Sequence, residues 1–417
     1  MKKNYSRIKK KLIIVGAGAA GLLAAIEAKK NGLDVLVLER MDRPGKKILA
    51  TGIGKCNLTN SFYDKNTYRG ENSEFAYHII HKFDYKNVLS FFESLGLFVV
   101  ENNGYYYPKS GQASTVLEVL LLQCKHQNIP ILCENEVIKI KKKSNQFEVF
   151  TKDQCHFGDY ILLCGGGKSN EKLGSNGSAI ELAKELGHNI IPLAPALCAL
   201  HAKGNFFKET SGVRVKAKFR LKIDGTYTEW NQGELQLTDY GISGVMVFCL
   251  SRYAVYGLME KKGVYAHIDF IPDLNYDECK EKLLYLKRIV PYKTIPQALE
   301  GIFNQKLALA ITKFCKIKTD LLIKDMTMEQ CNKLCGSMKN FQTEIINYAD
   351  FSKSQVTAGG VSTGQIHPDT MESKLIKGLY FAGEMVDVDG TCGGYNLQWA
   401  FSSGMIAAKS ISKEAQI

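Results

Sequence analysis

The first hydrophobic run of the chain predicts a strand that is buried on both faces. Residues 12–15 are apolar at every position, without the alternation of a half-exposed strand. A glycine-rich turn follows at 16–21, then a helical stretch at 22–31 and a second apolar strand at 34–38. This order of strand, turn, helix and strand predicts the start of a parallel, Rossmann-type sheet.

The turn carries glycine at the three positions that a dinucleotide-binding fingerprint requires. Gly16 allows the tight turn, Gly18 lets the backbone approach a pyrophosphate, and Gly21 lets the helix pack closely on the strand. The helix N-terminus offers free N–H groups and a positive dipole end to the phosphates. Glu39, after the second strand, suits hydrogen bonds from ribose hydroxyls, which favours FAD or NAD over NADP.

The C-terminal pattern indicates FAD rather than NAD. Residues 378–384 predict a strand that runs into a glycine–acid turn, and residues 390–397 lead into a helix at 398–412. In FAD enzymes of this plan the glycine–acid pair meets the ribityl and pyrophosphate region, and the next helix directs its positive N-terminus at the flavin. We therefore expect a discontinuous FAD-binding domain that this segment completes.

The rest of the pattern predicts an α/β protein in which further units are inserted into the FAD-binding domain. Residues 136–140 and 146–151 predict a hairpin that returns to the sheet, and a glycine-rich loop at 174–177 argues against a second complete Rossmann unit. Short strands are predicted at 219–223, 226–230, 234–238 and 264–270. The expected domains are the FAD-binding domain (1–190 and 351–417), a β-rich insert (191–272 with 340–350) and a small helical subdomain (273–339).

Composition and charge exclude several other classes of protein. Hydrophobic residues make up 45% and charged residues 23% of the 417 residues, and no apolar run has the length of a membrane span, so we expect a globular protein without a membrane partner. The net charge of +12 comes largely from basic segments at 2–11 and 139–143, which we interpret as solvated surface. Because aromatic residues are not interleaved with the cations, we expect no nucleic acid; a nucleic-acid-associated flavoprotein is the alternative of another class.

The twelve cysteines include no CxxC pair, which favours free thiols in a reducing compartment and hence a cytoplasmic protein. The basic start and the apolar stretch 12–26 imitate a secretory signal, but regularly placed glycines and the lack of a clear cleavage site indicate the first strand and helix of a mature domain. No cluster has the spacing of metal ligands, so no metal is expected. The sequence leaves the oligomeric state open.

One long motif carries a family resemblance. The segment 44–60, PGKKILATGIGKCNLTN, resembles the signature of the BaiN/RdsA family of FAD-dependent oxidoreductases, which are also described as aminoacetone-oxidase-like. Further matches lie at 237–244, 357–361 and 381–403, so the resemblance extends from one end of the chain to the other. Lys55, Asp239 and Glu384 depart from the Arg, His and Asp that are usual in the family.

The resemblance implies a cofactor, an activity and a set of contacts. The activity is reduction of conjugated C=C bonds in 3-oxo-Δ4,6 bile acids or steroids, with FAD as cofactor and NADH or NADPH as a transient electron donor. The FAD contacts expected in this sequence are Gly16, Gly18, Ala19, Ala20, Gly21, Glu39, Arg40, Lys46, Lys47, Cys56, Asn57, Val137, Gly165, Gly166, Gly383, Glu384, Gly394, Asn396 and Leu397.

Reduction of an activated alkene by a flavin also needs a proton donor, and a tyrosine hydroxyl suits that role. We favour Tyr395 or Tyr240 as this acid. Cys56 is interpreted as a small buried thiol, because disulfide reductases carry a second cysteine five positions later, where this chain has Ser61. The alternatives are an amine oxidase that uses oxygen and a redox-silent FAD-binding sensor. The small-molecule substrate itself is not identified by the sequence, although we expect it to sit where the insert faces the flavin.

Overall fold

A computed structural model of the protein describes residues 9–144 and 146–416. The chain divides into two compact units, the first formed by residues up to Ala194 and from Gln355 onward, and the second by Pro195–Ser354. The basic residues Lys2, Lys3 and Arg7, which we expected on a solvated surface, lie outside the described residues.

The elements of the first unit before the second begins are the strands β1 (Lys11–Val15), β2 (Asp34–Leu38), β3 (Thr59–Asn60), β4 (Tyr68–Arg69), β5 (Val99–Asn102), β6 (Tyr105–Pro108), β7 (Ile131–Leu132), β8 (Val137–Lys143), β9 (Gln146–Thr151), β10 (Cys155–Gly158), β11 (Tyr160–Leu163) and β12 (Ile190–Ala196). The helices of this segment are α1 (Ala19–Lys30), α2 (Lys46–Ala50), α3 (Ser73–Lys82), α4 (Tyr85–Ser94), α5 (Ala113–His126) and α6 (Ser178–Glu185).

The second unit contains the strands β13 (Leu200–Ala202), β14 (Arg214–Ile223), β15 (Thr226–Tyr227), β16 (Asn231–Thr238), β17 (Gly241–Ser243), β18 (Val264–Asp269) and β19 (Phe341–Tyr348). Its helices are α7 (Phe206–Glu209), α8 (Val245–Met259), α9 (Tyr276–Ile289), α10 (Ile295–Leu299), α11 (Gln305–Phe314) and α12 (Met328–Lys339). The chain then returns to the first unit with β20 (Val356–Val361), β21 (Leu379–Phe381), β22 (Asp389–Gly390) and α13 (Tyr395–Glu414). Short 3₁₀ helices lie at Thr51–Gly54, Glu171–Leu173, Ile323–Asp325, Thr363–Gln365 and Gly383–Met385.

A five-stranded parallel sheet forms the centre of the first unit, in the order β21-β11-β1-β2-β7. Ile13 is fully buried and lies in register with Leu36 on one side and Ile161 on the other. The continuous apolar pattern of β1 therefore reflects a strand that is covered on both faces. The predicted Rossmann-type α/β fold is confirmed, and so is the antiparallel hairpin of β8 and β9.

The two chain segments of the first unit pack together through small residues. The helix α1 lies against α13, and a Cβ at Gly404 of α13 would come within 2.6 Å of the Ala20 carbonyl oxygen of α1. Only glycine permits this close approach. The C-terminal helix is therefore held directly against the helix that follows the glycine-rich turn.

The second unit is a closed antiparallel barrel with associated helices. Its sheet has the order β15-β14-β16-β17-β13-β19-β18, and an additional pairing between β14 and β18 closes the ring. Phe219, Leu235 and Ile268 are fully buried at alternate, inward-facing positions of three of these strands. The helices share the same hydrophobic core, to which they contribute Leu283 and Leu334.

Among residues 9–144 and 146–416, none of the helices combines the length and the apolar character needed to traverse a bilayer.

Candidate cofactor site

The three glycines of the turn after β1 differ in what surrounds them. Gly16 has φ of +107°, and a Cβ there would lie 2.7 Å from the Cys164 carbonyl oxygen. A Cβ at Gly21 would lie 2.0 Å from the carbonyl oxygen of Gly16, so α1 packs on β1 only with glycine at this position. A Cβ at Gly18 would meet nothing within 4 Å. Packing thus explains Gly16 and Gly21, whereas Gly18 keeps the backbone accessible to a ligand.

The N-terminus of α1 is suited to an anion. Gly18 is the N-cap residue, with no side-chain cap, and the first turn contains no acidic residue. The first N–H groups of the helix and its positive dipole end therefore meet no competing carboxylate from this turn. Ala19 and Ala20 form the start of the helix and add no bulky side chain there.

Glu39 is oriented by backbone amides at the end of β2. Its Oε2 accepts a hydrogen bond of 2.7 Å from the Ala17 N–H, and its Oε1 accepts one of 2.8 Å from the Met41 N–H. The residue is only 9% exposed. An ionised carboxylate has about four acceptor sites, so this fixed group retains capacity for ribose hydroxyls.

Arg40 contributes a buried donor beside this carboxylate. One of its terminal nitrogens donates to the Glu171 carbonyl oxygen at 3.2 Å, but its buried Nε forms no hydrogen bond. The Glu136 Oε1 is 4.0 Å from that Nε. A buried donor without a hydrogen-bond acceptor fits a site that binds a polar ligand.

The lysines of α2 have different partners. The Lys47 Nζ lies 2.6 Å from Glu384 Oε2, and the other oxygen of Glu384 accepts a 3.0 Å hydrogen bond from the Thr357 N–H. Lys46 forms an ion pair with Asp42 four residues earlier. The predicted glycine–acid turn is thus anchored to α2 by Lys47.

Gly383 joins the same turn to both packed helices. A Cβ at Gly383, where φ is +73°, would lie 3.3 Å from the Ala20 Cβ at the start of α1. The Gly383 N–H donates to Ser403 Oγ at 2.9 Å, and its carbonyl oxygen accepts from the Trp399 indole N–H at 3.0 Å. The glycine–acid turn therefore lies beside the N-terminus of α1, where the pyrophosphate is expected.

The N-terminus of α13 is a second helix end that is suited to negative charge. Gly394 is its N-cap residue, with φ of 89° and no side-chain cap, and the first turn contains no acidic residue. Asn396 closes the preceding loop, because it accepts from the Gly390 N–H at 2.8 Å and donates to the Gly390 carbonyl oxygen at 2.9 Å. A Cβ at Gly394 would lie 2.9 Å from Asn57 Oδ1, a buried acceptor without a hydrogen-bond partner. An unpaired acceptor at a rigid, positive helix end suits the polar edge of a flavin ring.

All predicted cofactor contacts lie in the first unit. Gly165 packs against α6, where an added Cβ would lie 2.5 Å from the Ala179 Cβ, and Gly166 has φ of +79°. Val137 is buried at the start of β8, and Leu397 is partly buried in α13. Burial raises the pKa of the fully buried Cys56 thiol to about 11, so the thiol is protonated at neutral pH.

The two candidate acids belong to different units. Tyr395 is the first residue of α13, and its hydroxyl donates to the Phe62 carbonyl oxygen. Its ring makes an edge contact with Tyr68 at a centroid distance of 6.0 Å. Tyr240 belongs to the barrel, where it is 43% exposed and its ring centroid is 4.7 Å from that of His201.

A buried ion pair that the sequence pattern does not predict lies just before the N-terminus of α13. Pairing of β4 with β22 brings Arg69 within 3.1 Å of Asp389, and both side chains are almost inaccessible. Asp387 in the same loop accepts a 2.7 Å hydrogen bond from the Glu71 N–H. The sequence feature that could have indicated this ion pair is the presence of two acids in Asp387-Val388-Asp389-Gly390, just before the glycine-rich start of α13.

The residues present therefore fit FAD. The first turn of α1 is suited to the phosphates, and Glu39 is suited to the adenosine ribose. The N-terminus of α13, with Gly394 and Asn57, is suited to the flavin ring. Across residues 9–144 and 146–416, no group of three or more His, Cys, Asp or Glu side chains is arranged to hold a metal ion.

Fold and site together define a flavoprotein with a Rossmann-type FAD-binding domain. The model of the HI0933-like protein Rossmann domain family matches residues 10–410, so the chain belongs to the HI0933-like family. The 3-dehydro-bile acid Δ(4,6)-reductase of Clostridium scindens is 38% identical over 402 residues, which are 96% of this chain and 98% of that protein.

Two further relatives carry another name. The ribosomal RNA dihydrouridine synthases of Escherichia coli and Haemophilus influenzae are 26% and 29% identical to this chain, over 95% and 96% of its length and 98% of their own. The family resemblance drawn from the sequence is thereby confirmed, and the chain is a flavin-dependent oxidoreductase.

Proposed function

We propose that this protein is an FAD-dependent reductase of C=C bonds conjugated to a carbonyl, with NADH or NADPH as donor and a 3-oxo-Δ4,6 steroid-type substrate. The proposal is supported by 38% identity, over 96% of the chain, to a reductase that is named for this substrate class. The structural observation that carries it is the uncapped N-terminus of α13 beside the buried, unpaired Asn57 Oδ1. Negative charge that develops on a flavin ring is stabilised at such a helix end.

The chain's own residues then have distinct roles. FAD, when bound, would supply hydride to one alkene carbon. Glu39, fixed by the Ala17 and Met41 amides, orients the ribose, and the N-terminus of α1 binds the pyrophosphate. Tyr395 supplies the proton for the neighbouring carbon, for which its hydroxyl exchanges the Phe62 carbonyl oxygen for substrate.

Anaerobic stopped-flow mixing tests the proposal in two halves. NADH or NADPH should bleach the flavin absorbance, and a 3-oxo-Δ4,6 steroid added afterwards should restore it with saturation of one C=C bond. Tyr395→Phe should slow reoxidation of the flavin by the steroid about 100-fold and leave flavin reduction by the nicotinamide unchanged. Tyr240→Phe tests the other candidate acid in the same way. Bleaching by amines alone, with peroxide formed when oxygen is admitted, would instead identify an amine oxidase.

A second candidate substrate is uridine in RNA. It is favoured by the two dihydrouridine synthases, which match the chain over 95% and 96% of its length. Dihydrouridine also differs from uridine by one saturated C=C bond beside a carbonyl, so the same chemistry would serve. Incubating the reduced protein with unmodified ribosomal RNA and measuring dihydrouridine by mass spectrometry separates this candidate from the steroid.

A further inference from the structure

The strand β14 carries a row of five cations on one face. Arg214, Lys216, Lys218, Arg220 and Lys222 occupy alternate positions, while the intervening residues Ala217, Phe219 and Leu221 are buried. Because side chains alternate along a strand, the row lies on the outer side of the barrel. Eight steps of about 3.3 Å give it a length of about 26 Å.

Exposed aromatic rings lie at one end of this row. The Arg220 guanidinium is 4.0 Å from the Tyr227 ring centroid and 4.4 Å from the Trp230 ring centroid. Tyr227 is 44% and Trp230 is 40% exposed. The Lys222 ammonium is 5.2 Å from the Tyr227 ring. A row of cations that ends beside accessible ring faces is an arrangement with which proteins bind unpaired nucleic acid.

Few acidic groups neutralise the row. Glu234 pairs with Arg214 at 3.1 Å, and Asp269, which lies opposite Lys218 in the sheet, is bound by Lys339 at 2.7 Å. Within the described residues, Lys216, Lys218, Arg220 and Lys222 form no ion pair. The neighbouring strand β18 instead places the uncharged ring of Tyr265 opposite Lys222. Most of the row therefore keeps its charge for an external anion.

We propose that the β14 face, formed by Arg214, Lys216, Lys218, Arg220, Lys222, Tyr227 and Trp230, binds a single-stranded segment of RNA. The cations contact successive phosphates, and bases stack on Trp230 and Tyr227. A duplex is disfavoured because its bases do not expose their ring faces. The expectation of no nucleic acid rests on the linear sequence, whereas the fold brings Arg220 close to two rings that follow it by seven and ten positions. This inference extends the second candidate of the proposed function, uridine in RNA, but it concerns binding alone, so it is tested without turnover and can fail or hold apart from either reaction.

The fluorescence of Trp230 can report this binding. It contains two tryptophans, of which Trp230 is 40% exposed and Trp399 is 1% exposed. Titrating the FAD-loaded protein, without a nicotinamide donor, with an oligouridine of about twelve nucleotides should quench the Trp230 fluorescence. Binding should weaken steeply as salt is raised. Absence of quenching at low salt, or quenching that persists in Trp230→Phe, would overturn the proposal.

Matched variants separate the β14 face from general positive charge. The triple variant K216A/K218A/K222A should weaken oligouridine binding at least 10-fold and lower the slope of log affinity against log salt by about 2, at about 0.7 per phosphate. The control K139A/K141A/K143A removes the same charge from alternate positions of β8 and should bind as the unaltered protein does. Equal weakening by both triples would contradict the proposal.

A second variant keeps the test independent of the lysines. Trp230→Ala should weaken binding of labelled oligouridine about 10-fold by fluorescence anisotropy, with an unchanged circular dichroism spectrum. A duplex of oligouridine and oligoadenosine should bind more weakly than oligouridine alone, because its bases do not expose their ring faces to Trp230 and Tyr227. Equal or tighter binding of the duplex, or of phosphatidylglycerol vesicles, would show that the β14 face does not select an unpaired strand.

Discussion

Lys47 and Glu384 lie 337 positions apart in the chain and 2.6 Å apart between their charged atoms. Lys47 belongs to α2, and Glu384 lies in the turn after β21, beside the start of α1. Their ion pair holds the returning C-terminal segment where the phosphates of a dinucleotide are expected. The predicted cofactor contacts therefore come from both segments of the first unit.

Replacing Glu384 tests this link. Glu384→Ala removes the carboxylate partner of the part-buried Lys47, which keeps only a 3.5 Å contact with Ser175 Oγ, and leaves the Thr357 N–H without its Glu384 acceptor. The free energy of unfolding of the apo-protein should fall by about 1–3 kcal/mol, measured by urea denaturation, and FAD should bind more weakly. Glu384→Gln keeps an acceptor for the Thr357 N–H, so its free energy of unfolding should fall less than that of Glu384→Ala. Unchanged stability in both variants would show that the pair contributes nothing.

Two glycine substitutions should separate binding from folding. In Gly18→Ala the new methyl group meets no protein atom within 4 Å, so apo-protein stability should be unchanged while FAD affinity falls at least 10-fold. In Gly21→Ala the methyl would lie 2.0 Å from the Gly16 carbonyl oxygen, so the apo-protein itself should be destabilised, by about 2 kcal/mol or more. Calorimetric melting and FAD titration measure the two effects. If Gly18→Ala bound FAD normally, the pyrophosphate could not lie at this turn.

Cys56 should be chemically inert in the folded protein. Burial raises the pKa of its thiol to about 11, whereas Cys155 is exposed. Iodoacetamide at pH 8 should therefore label Cys155 rapidly and Cys56 only after unfolding, as measured by peptide mass spectrometry. Rapid labelling of Cys56 would revive the interpretation that its thiol works on the flavin.

The protein should lose stability in alkali as its buried thiols ionise on unfolding. Burial raises the pKa of Cys124 from 9.0 to about 12, so this thiol stabilises the folded state below pH 9 and loses that contribution as the pH rises toward 12. Between pH 8 and 10.5 its share of the loss is about 2 kcal/mol, at about 1.4 kcal/mol per pH unit above 9. In urea denaturation Cys124→Ala should therefore show a smaller pH-dependent loss, while exposed Cys155→Ala should match the unaltered protein. Identical losses in all three proteins would contradict this assignment.

Local pattern predicted the parts of the site that are close in sequence. The run from β1 through the glycine turn to Glu39 is continuous, so its periodicity and glycine spacing were sufficient to predict the order of strand, turn, helix and strand. That FAD binds at this turn stays a prediction. The pairs Lys47–Glu384 and Arg69–Asp389 depend on long-range packing, and no local pattern encodes their contact. Helices were predicted a few residues short at their N-termini: α13 begins at Tyr395 rather than 398, because Gly394 adopts the positive φ that ends the preceding loop.

The barrel was predicted less completely for a related reason. Its strands β13 and β17 have three residues each, too few for an alternating pattern to stand out. The helix α8 was missed because its sequence is apolar on most sides and rich in valine and tyrosine, which also suit strands. The approach of Arg220 to Trp230 likewise arises only when the strand and the following loop are folded together.

The most direct measurement is a titration of the apo-protein with FAD and, in parallel, with FMN. We propose that the adenosine half of the cofactor binds at Gly16–Glu39 and the flavin half at the N-terminus of α13, so we expect that the whole dinucleotide is needed for tight binding. We predict one FAD per chain and FMN binding at least 100-fold more weakly. Equal affinity for FMN and FAD, or no binding of either, would contradict the account.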